Sequence, residues 1–529
     1  MTTEDLAPEA IADAPVPRAT NTLKAGAVGL AGVLFMAVAN AAPITAMTGN
    51  VPIAVGYGNG NGAPAGFLVA TVVLTLFTIG YVSMARYITT AGAFYGFVTH
   101  GLGQLWGMAT GWLATMAYVV FEGSLIGIFA YFANYALKDW FGWNVNWLLI
   151  AVVGIALIAV LGYFDISIAA AVLGFFLICE VVLLAALAFS VLFKGGGSDG
   201  LMASSINPVN AFKNLTEGGG LGAKTSAGTL VAAGSGALGL FFAFWSWVGF
   251  ETTAVYGEES RNPRRIVPRA TLIAVIGLGV FYTFVSWMVI AGNGAKSSIE
   301  LSNNDSIGMF THLAAANLGG QWVTYVYIFL MVSGSFACAL AFHNAASRYL
   351  FAIGRELPAT VKSLGATHAK HKSPHIASAI QSAVTLVLTV GFYFLTVGGS
   401  DPNRGGYIYL YGLLALLGTM AILIVQAITS AAVIWYFHVR KAHPGNWLTT
   451  ALIPALGGIG MLYVVYLLFS NIDFAGGGAA GSPFFKAIPY VVAATFVGGL
   501  GFAFYLRTSK PELYAAVGRT VMEETHERV

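Results

Sequence analysis

Charge is what this sequence has least of. Only 9% of its 529 residues are Asp, Glu, Lys or Arg, whereas 57% are hydrophobic. Soluble domains carry charge on about a quarter of their residues. A soluble globular fold is therefore excluded, because it would have too little polar surface to face water. Apolar runs of about 18 residues or more recur along the chain, and each is long enough to cross a hydrocarbon core of about 30 Å. We expect an all-α integral membrane protein.

Cysteine is also scarce, and a targeting signal is missing. Cys179 and Cys338 both lie in apolar runs, which favours buried small residues over a disulfide framework or a metal cluster. The first 21 residues are polar and lack the basic start and short apolar stretch of a secretory signal, so we expect the first span to remain in the mature protein. We expect no enzyme activity, no cofactor, no metal centre and no nucleic-acid partner.

The apolar runs predict twelve spans. Their ranges are 25–55, 66–86, 103–135, 147–162, 166–193, 232–258, 271–292, 323–353, 376–397, 407–438, 449–470 and 487–506. Cytoplasmic loops of membrane proteins collect Lys and Arg. With the N-terminus inside, the loops on that side hold 18 of the 25 Lys and Arg residues and the opposite loops hold 7. We expect a multi-pass protein of the cell membrane with both termini in the cytoplasm.

Two of the predicted spans contain residues that interrupt helices. The first carries Pro43, Gly49 and Pro52 at membrane depth, and a proline inside a helix removes a hydrogen bond and clashes with the preceding turn. The sixth carries Gly249 and the acid Glu251 among aromatic residues. A simple proline kink is the alternative for the first span. Interruptions at matching places in two halves of a chain indicate inverted repeats with a substrate site between them.

Three segments resemble the amino acid–polyamine–organocation permeases. The sixth span and the loop after it resemble the family pattern F-x-G-F-E, E-E, N-P-x-R-x-I-P. The matching residues are Phe241-Phe242-Ala243-Phe244-Trp245-Ser246-Trp247-Val248-Gly249-Phe250-Glu251 in the span and Glu258-Glu259-Ser260-Arg261-Asn262-Pro263-Arg264-Arg265-Ile266-Val267-Pro268 after it. The stretch 341–352 is similar to N-x-x-S-R-x-x-x-A. The stretch 90–97 resembles P-G-G-x-Y-x-Y, with Ala91 where proline is usual.

This resemblance implies a five-plus-five inverted-repeat, LeuT-like fold with helices 1 and 6 broken and with alternating access. The chain would then divide into a tail (1–24), a first repeat (25–193), an extracellular loop (194–231), a second repeat (232–438), two closing spans (439–506) and a second tail (507–529). The family's substrates are amino acids and related amines. Coupling in the family is by proton, by sodium or by exchange.

The resemblance also places a substrate site at the two interruptions. Many members have a Gly-Ser/Thr-Gly triplet in span one, and aligning Pro52 with the family's later proline puts Thr45-Ala46-Met47 there, without the flanking glycines. Trp245 aligns with a tryptophan that packs over substrate, where an ammonium would make a cation–π contact; ordinary helix packing is the alternative. The implied binding set is Ala42, Ile44, Thr45, Ala46, Met47, Thr48, Phe244, Trp245 and Ser246. The implied gate and vestibule set is Trp247, Tyr409 and Tyr411.

Three carboxylates, Glu122, Glu180 and Glu251, fall inside apolar runs. A charge at the bilayer centre is costly, so such groups usually face a cavity or a partner. Glu122 falls where arginine–agmatine exchangers have a substrate-contacting asparagine, and it would pair with a substrate ammonium; the alternative is an acid held by a neighbouring hydroxyl or amide.

The other acids are coupling candidates by the same resemblance. Glu180 lies near the lysine of cationic amino acid carriers and would attract sodium, titrate as the proton site or pair with substrate. Glu251 matches a family glutamate and would link protonation to gating. Ser333 and Ser335 are candidate sodium ligands with carbonyls of span one. Glu258 and Glu259 are expected to pair with arginines of the following loop, Arg261, Arg264 or Arg265.

The leading hypothesis is a secondary active permease for an amino acid or small amine, including polyamines, whose ammonium lies near Glu122 and Trp245. The alternative is a neutral amino acid or carboxylate symporter coupled to proton or sodium, in which the acids serve only coupling. Competition by neutral zwitterions as strong as that by diamines would favour the alternative. A channel or receptor-like sensor is the third hypothesis, and it would show conductance without saturation or a soluble signalling domain.

Overall fold

The computed structural model describes residues 23, 25–163, 166–214, 235–357, 359–396, 405–470, 479 and 481–518, and for 166–173 it describes the backbone alone. The predicted tail up to residue 22, residues 215–231 of the predicted loop, the first residues of the sixth span and residues 519–529 lie outside the described part.

The described chain is built from helices. The α-helices are α1 (Leu30–Ala41), α2 (Pro43–Ile53), α3 (Ala63–Ala85), α4 (Phe94–Leu102), α5 (Gln104–Phe141), α6 (Trp147–Tyr163), α7 (Ile166–Lys194), α8 (Gly236–Trp245), α9 (Pro263–Asn293), α10 (Ala295–Asn304), α11 (Gly308–Leu318), α12 (Gln321–Gly354), α13 (His375–Thr396), α14 (Gly412–Ile434), α15 (Ile453–Ser470), α16 (Pro483–Ser509) and α17 (Pro511–Ala516). Turns of π-helix extend α2, α14 and α15.

Ten helical segments among the described residues are long and apolar enough to cross a membrane, which makes the chain a multi-pass membrane protein. α6 is a shorter apolar helix at the predicted fourth span. The predicted sixth span differs most from the structure: its helix α8 ends at Trp245, well before Glu258. Twelve spans and an inverted repeat remain predictions.

Four helices, α4, α10, α11 and α17, were not expected from the sequence. Each is shorter than the roughly 20 residues that a crossing requires. They follow or precede long helices, so a hydropathy search for spans does not find them. α10 begins directly after α9, where Gly294 turns the chain with φ 83°.

The long helix α5 is central and packs against α12, α14 and α16. Small residues allow these close approaches. A Cβ at Gly127 would lie 2.5 Å from the Gly406 carbonyl oxygen. Large apolar side chains such as Phe193 (83% exposed) and Tyr490 (77%) lie on the outer surface, as expected for a surface that faces lipid.

Candidate functional site

The first interruption is a single residue. α1 ends at Ala41, Ala42 has left-handed backbone angles (φ 40°, ψ 78°), and α2 begins at Pro43. Proline disfavours the helical conformation for the residue before it and is well tolerated at the first position of a helix. The alignment on Pro52 therefore misplaced the break: Thr45-Ala46-Met47 are helical residues near the start of α2, three residues beyond the actual interruption.

The second interruption is longer. After α8, residues 246–249 form turns, a short 3-10 helix covers Phe250–Thr253, and a regular helix resumes at Pro263. Gly249 has φ 118°, and a Cβ there would lie 2.3 Å from Asn40 Cβ. Only glycine meets both conditions.

The two interruptions lie side by side and are joined by two asparagines. Asn40 Nδ2 donates to Thr252 Oγ1 at 2.9 Å, and Asn50 Nδ2 donates to Ser246 Oγ at 2.8 Å. The two spans whose interruptions were predicted from the sequence thus contact each other directly. A close pair of broken helices exposes backbone groups that regular helices keep to themselves.

A small cavity of about 20 Å³ lies at this junction. Its walls are Asn40, Ala41, Ala42, Thr45, Ala46, Asn50, Leu125, Trp245, Ser246, Val248, Cys338 and Tyr411. Of the predicted binding and vestibule residues, this set contains Ala42, Thr45, Ala46, Trp245, Ser246 and Tyr411. Asn40 and Asn50 were missed, although an asparagine inside an apolar run is a signal that the sequence carries.

Two buried polar atoms on the cavity wall, Asn40 Oδ1 and Thr45 Oγ1, have no hydrogen-bond partner among the residues that the structure describes. A buried polar atom without a hydrogen bond is costly, and each such atom needs an explanation. Asn40 Oδ1 is an acceptor, while Thr45 Oγ1 can both donate and accept. The cavity therefore offers hydrogen bonds to a small polar molecule.

An aromatic wall closes another side of the cavity. Trp245 Nε1 donates to Tyr411 Oη at 2.8 Å, and the Tyr411 hydroxyl donates in turn to Asn50 Oδ1. Trp245 also stacks on Phe121, with ring centroids 4.4 Å apart. The indole N–H and one indole face are thus occupied, which fixes the ring in place.

Glu122 lies outside the cavity wall; Leu125, one turn further along α5, lines the cavity instead. Glu122 is fully buried, and its Oε2 contacts His343 Nδ1 at 3.0 Å and accepts from Gln381 Nε2 at 2.7 Å. Glu122 is therefore held by side chains of α12 and α13. This arrangement corresponds to the alternative of an acid held by a neighbouring amide, except that a histidine is a second partner.

Glu180 lies where α2, α7 and α12 meet. Its Oε2 accepts from the Ile44 backbone N–H at 3.4 Å, at the start of α2. A helix N-terminus attracts negative charge. A Cβ at Gly334 would lie 2.4 Å from Glu180 Oε1, so this glycine makes room for the carboxylate. Glu180 contacts the interrupted first span without lining the cavity.

Glu251 lies in the second interruption and is fully buried. Its carboxylate accepts from Tyr118 Oη at 2.8 Å and from the Gly249 N–H at 3.0 Å, and Tyr81 Oη donates to its backbone carbonyl at 2.9 Å. Glu251 therefore ties α3 and α5 to the unwound segment. This position suits a gate, because the segment is held by side chains and not by a regular helix.

Glu258 and Glu259 do pair with arginines, but their partners are not in the following loop. Arg348 binds Glu259 through two hydrogen bonds of 2.7 and 2.9 Å, and Arg355 binds Glu258. The expectation of Arg261, Arg264 or Arg265 was wrong. Arg348 and Arg355 lie on or just after α12, so the contacts fasten the end of the second interruption to that helix.

The remaining predicted residues lie around the cavity wall without lining it. Thr48 Oγ1 hydrogen bonds to Tyr327 Oη at 2.6 Å, and Trp247 Nε1 donates to the Val275 carbonyl at 3.2 Å. Ser333 and Ser335 donate to carbonyls of their own helix. Ile44, Met47 and Phe244 are buried in the core, and Tyr409 is half-buried.

The described residues contain no group of three or more His, Cys, Asp or Glu side chains placed to hold a metal ion. A depression of about 420 Å³ is larger than the central cavity, but it lies among apolar and aromatic side chains, mainly of α7 and α12, including Phe175 (65% exposed) and Phe329 (50%). We assign that depression to the lipid-facing surface and take the central cavity as the candidate site.

Residues 28–495 match the model of a family described as amino acid permease. The serine/threonine exchanger SteT of Bacillus subtilis is 24% identical over 309 residues, which are 57% of this chain and 62% of that protein. The branched-chain amino acid permease BcaP of B. subtilis is 23% identical over 339 residues, 60% of this chain and 65% of that protein. BcaP of Lactococcus lactis is 23% identical, with 63% and 69% covered. The chain thus spans less than two thirds of the first two relatives.

Proposed function

Since the chain belongs to the amino acid permease family of membrane transporters, we propose that it carries neutral amino acids by alternating access, with the central cavity as the substrate site. This is the alternative stated from the sequence, and it takes precedence over carriage of cationic amines. The five-plus-five inverted repeat and the twelve spans are part of this proposal.

The observation that carries the proposal is the cavity wall. None of the described residues that form it is Asp, Glu, Lys, Arg or His. A second ammonium on the substrate, as in a diamine or a cationic amino acid, would be buried there without a counter-charge, which is strongly unfavourable. A zwitterion needs only hydrogen bonds and dipoles at its two ends.

The interrupted first span supplies both kinds of dipole. The C-terminal end of α1 carries partial negative charge and the N-terminal end of α2 partial positive charge. We assign the substrate ammonium to Asn40 Oδ1 beside the end of α1, and the carboxylate to the start of α2 with Thr45 Oγ1. Both unpartnered atoms then gain hydrogen bonds.

The rest of the wall suits a small neutral side chain. Leu125, Val248 and Cys338 are apolar or nearly so, and the indole of Trp245 adds a flat apolar surface. The enclosed volume of about 20 Å³ is room for about one water molecule, so the two interrupted spans must separate for an amino acid to enter. The polarity of this wall fits a single zwitterion.

Four of the buried acids belong to the moving parts in this proposal. Glu251 holds the unwound segment to α3 and α5, and Glu258 and Glu259 fasten that segment to Arg355 and Arg348. We assign gating to these contacts. Glu180, at the start of α2, is the contact through which a coupling proton or sodium ion would change the first span.

Counterflow in proteoliposomes tests the substrate class. Vesicles loaded with unlabelled serine, leucine, arginine or putrescine are diluted into trace labelled substrate, and saturable accumulation is measured. Serine and leucine follow the named substrates of the relatives. We expect accumulation with a neutral amino acid and at least tenfold less with arginine or putrescine. Stronger exchange with putrescine or arginine would overturn the neutral assignment.

A further inference from the structure

Glu122 and His343 form a buried pair that the proposed substrate site does not use. His343 is fully buried, and its Nδ1 lies 3.0 Å from Glu122 Oε2. The two residues are 221 positions apart in the chain and join α5 to α12. A carboxylate only accepts hydrogen bonds, so an ionised Glu122 requires the hydrogen of His343 on Nδ1.

The other ring nitrogen of His343 faces a hydroxyl. His343 Nε2 and Ser378 Oγ of α13 are 2.7 Å apart. Ser378 can donate to a neutral imidazole or accept from a protonated one. Either protonation state of His343 thus keeps two hydrogen bonds, and the change between them requires only rotation of the Ser378 hydroxyl.

Two polar atoms in the same cluster have no hydrogen-bond partner among the described residues. Glu122 Oε1 and Gln381 Oε1 are both buried and unpartnered, although Gln381 Nε2 donates to Glu122 Oε2. Two acceptors cannot satisfy each other. A proton on Glu122 Oε1 would turn that atom into a donor, so the deficit favours a protonated pair.

The net charge of the cluster also favours one bound proton on the pair. With neutral imidazole and ionised carboxylate the cluster carries one negative charge inside the membrane, which is costly. One added proton makes it neutral. Facing the pair are Ser378 and Gln381 from α13 and the backbone of Gly162 from α6. Among the described residues no other charged side chain hydrogen bonds to Glu122 or His343, so nothing else supplies that balance.

A group of three histidines lies near the surface-facing end of α13, close in sequence to Ser378. His375 lies one turn before Ser378 on α13, is partly exposed, and has an unpartnered Nδ1. Its ring centroid is 5.5 Å from that of His368, which is 4.9 Å from His371, and His368 Nε2 contacts Tyr163 Oη at 2.9 Å. Histidine is a common proton shuttle.

The pair is also connected to the cavity. Phe121 precedes Glu122 and stacks on Trp245 at 4.4 Å, while Phe342 precedes His343 and lies 5.9 Å from Trp245 and 5.4 Å from Phe121. A change in the separation of α5 and α12 at the pair therefore moves two rings that hold the cavity's tryptophan.

We propose that Glu122 and His343 form a proton-binding site, reached through Ser378 from the histidine group His368, His371 and His375, and that its occupancy is coupled to the substrate cavity through Phe121 and Phe342. In the loading step Ser378 gives its proton to His343 Nε2 and accepts one from the loop side. The net change is one proton bound. The coupling part rests on the proposed transport function.

The main test counts protons against substrate in proteoliposomes that contain a pH-sensitive dye. For the wild type we expect neutral amino acid uptake to acidify the lumen in proportion to labelled substrate. His343→Gln and Glu122→Gln should lower the ratio of acidification to counterflow exchange at least tenfold. Thr389→Ala, on the same α13 and bonded only to the Thr385 carbonyl, is the matched control and should leave the ratio unchanged.

Uptake without acidification in the wild type, or an unchanged ratio in His343→Gln, would overturn the proposal. If the glutamine variants do not fold, Ser378→Ala, which leaves the pair in place, should slow acidification several-fold. Failure of the transport function shows differently, as absence of saturable exchange in the wild type. In that case pH-difference infrared spectra of the purified protein test proton binding directly. A carboxyl or imidazole signal that is lost in both glutamine variants supports the proton site. A signal that is unchanged in both variants refutes it.

Discussion

Glu122 and Glu180 give the same signal in the sequence, an acid inside an apolar run, but their surroundings differ. Glu122 has a histidine and an amide as partners from two other helices. Glu180 has one backbone N–H at 3.4 Å and a glycine beside it. The first acid is fastened within a group of packed helices, whereas the second contacts the end of an interrupted one. The role of a buried acid thus depends on the groups that face its carboxylate.

The largest expected effect is on stability at Glu122. Glu122→Leu removes the partner of His343 Nδ1 and one acceptor of Gln381 Nε2, and breaking one side of a buried pair costs about 3–5 kcal/mol. Glu180→Leu abandons only one long backbone hydrogen bond, for which about 1–3 kcal/mol is the upper range. Thermal unfolding of both purified variants checks the order. Equal losses, or a greater loss for Glu180→Leu, would contradict the comparison.

Glycines beside the two acids give the next largest difference. Gly334→Ala places a Cβ 2.4 Å from Glu180 Oε1, whereas Gly123→Ala meets only the flexible tip of Leu414 at 3.0 Å. Overpacking of a core costs about 1–3 kcal/mol. We expect Gly334→Ala to reduce exchange at least tenfold and Gly123→Ala to reduce it less than threefold. Similar exchange rates for the two would show that Glu180 is free to move.

Asn40 tests which region holds the substrate. Asn40→Ala removes the unpartnered acceptor and also the bond to Thr252, so a hydrogen bond of about 0.5–1.5 kcal/mol is lost from binding. We expect the half-saturating concentration of substrate in exchange to rise about 2- to 12-fold. Thr252→Ala removes the bond between the two spans but keeps Asn40 Oδ1, and it is the matched control. Equal effects would assign the loss to the contact between spans.

The smallest expected effect is at the candidate sodium ligands. Ser333 and Ser335 already donate to carbonyls of α12, so Ser335→Ala and Ser333→Ala should each change exchange less than twofold, with or without sodium. A loss of uptake that high sodium restores would instead place a sodium ion beside Glu180 and change the reading of that acid.

Hydropathy predicted helix edges well where a helix simply crosses. α6, α7 and α13 begin and end within one residue of the predicted ranges 147–162, 166–193 and 376–397. Edges of this kind depend on the residues themselves. The position of the first break was harder, because Pro43 and Pro52 both qualify. In the structure Pro52 lies inside α2. The Tyr407 hydroxyl donates to the Gly49 carbonyl, one turn before Pro52, at 2.7 Å.

The site was predicted in part. Both interruptions and Trp245 came from local sequence, since a proline or glycine changes the backbone wherever it lies. Asn40 and Asn50 were overlooked because the sequence argument used only the charged residues inside apolar runs, although an asparagine there is a signal as well. The partners of Glu258 and Glu259 were misassigned because sequence proximity favoured Arg261, whereas Arg348 and Arg355 are about 90 residues away along the chain.

The sequence by itself determined the membrane class, the approximate helices and the two places where helices fail. These are consequences of composition and of the local backbone, and no distant residue is needed to infer them. Only the tertiary structure decided which acid faces what. The direction of a side chain around a long helix depends on how that helix packs, and α5 packs so that Leu125 reaches the cavity while Glu122 meets His343 from 221 residues away.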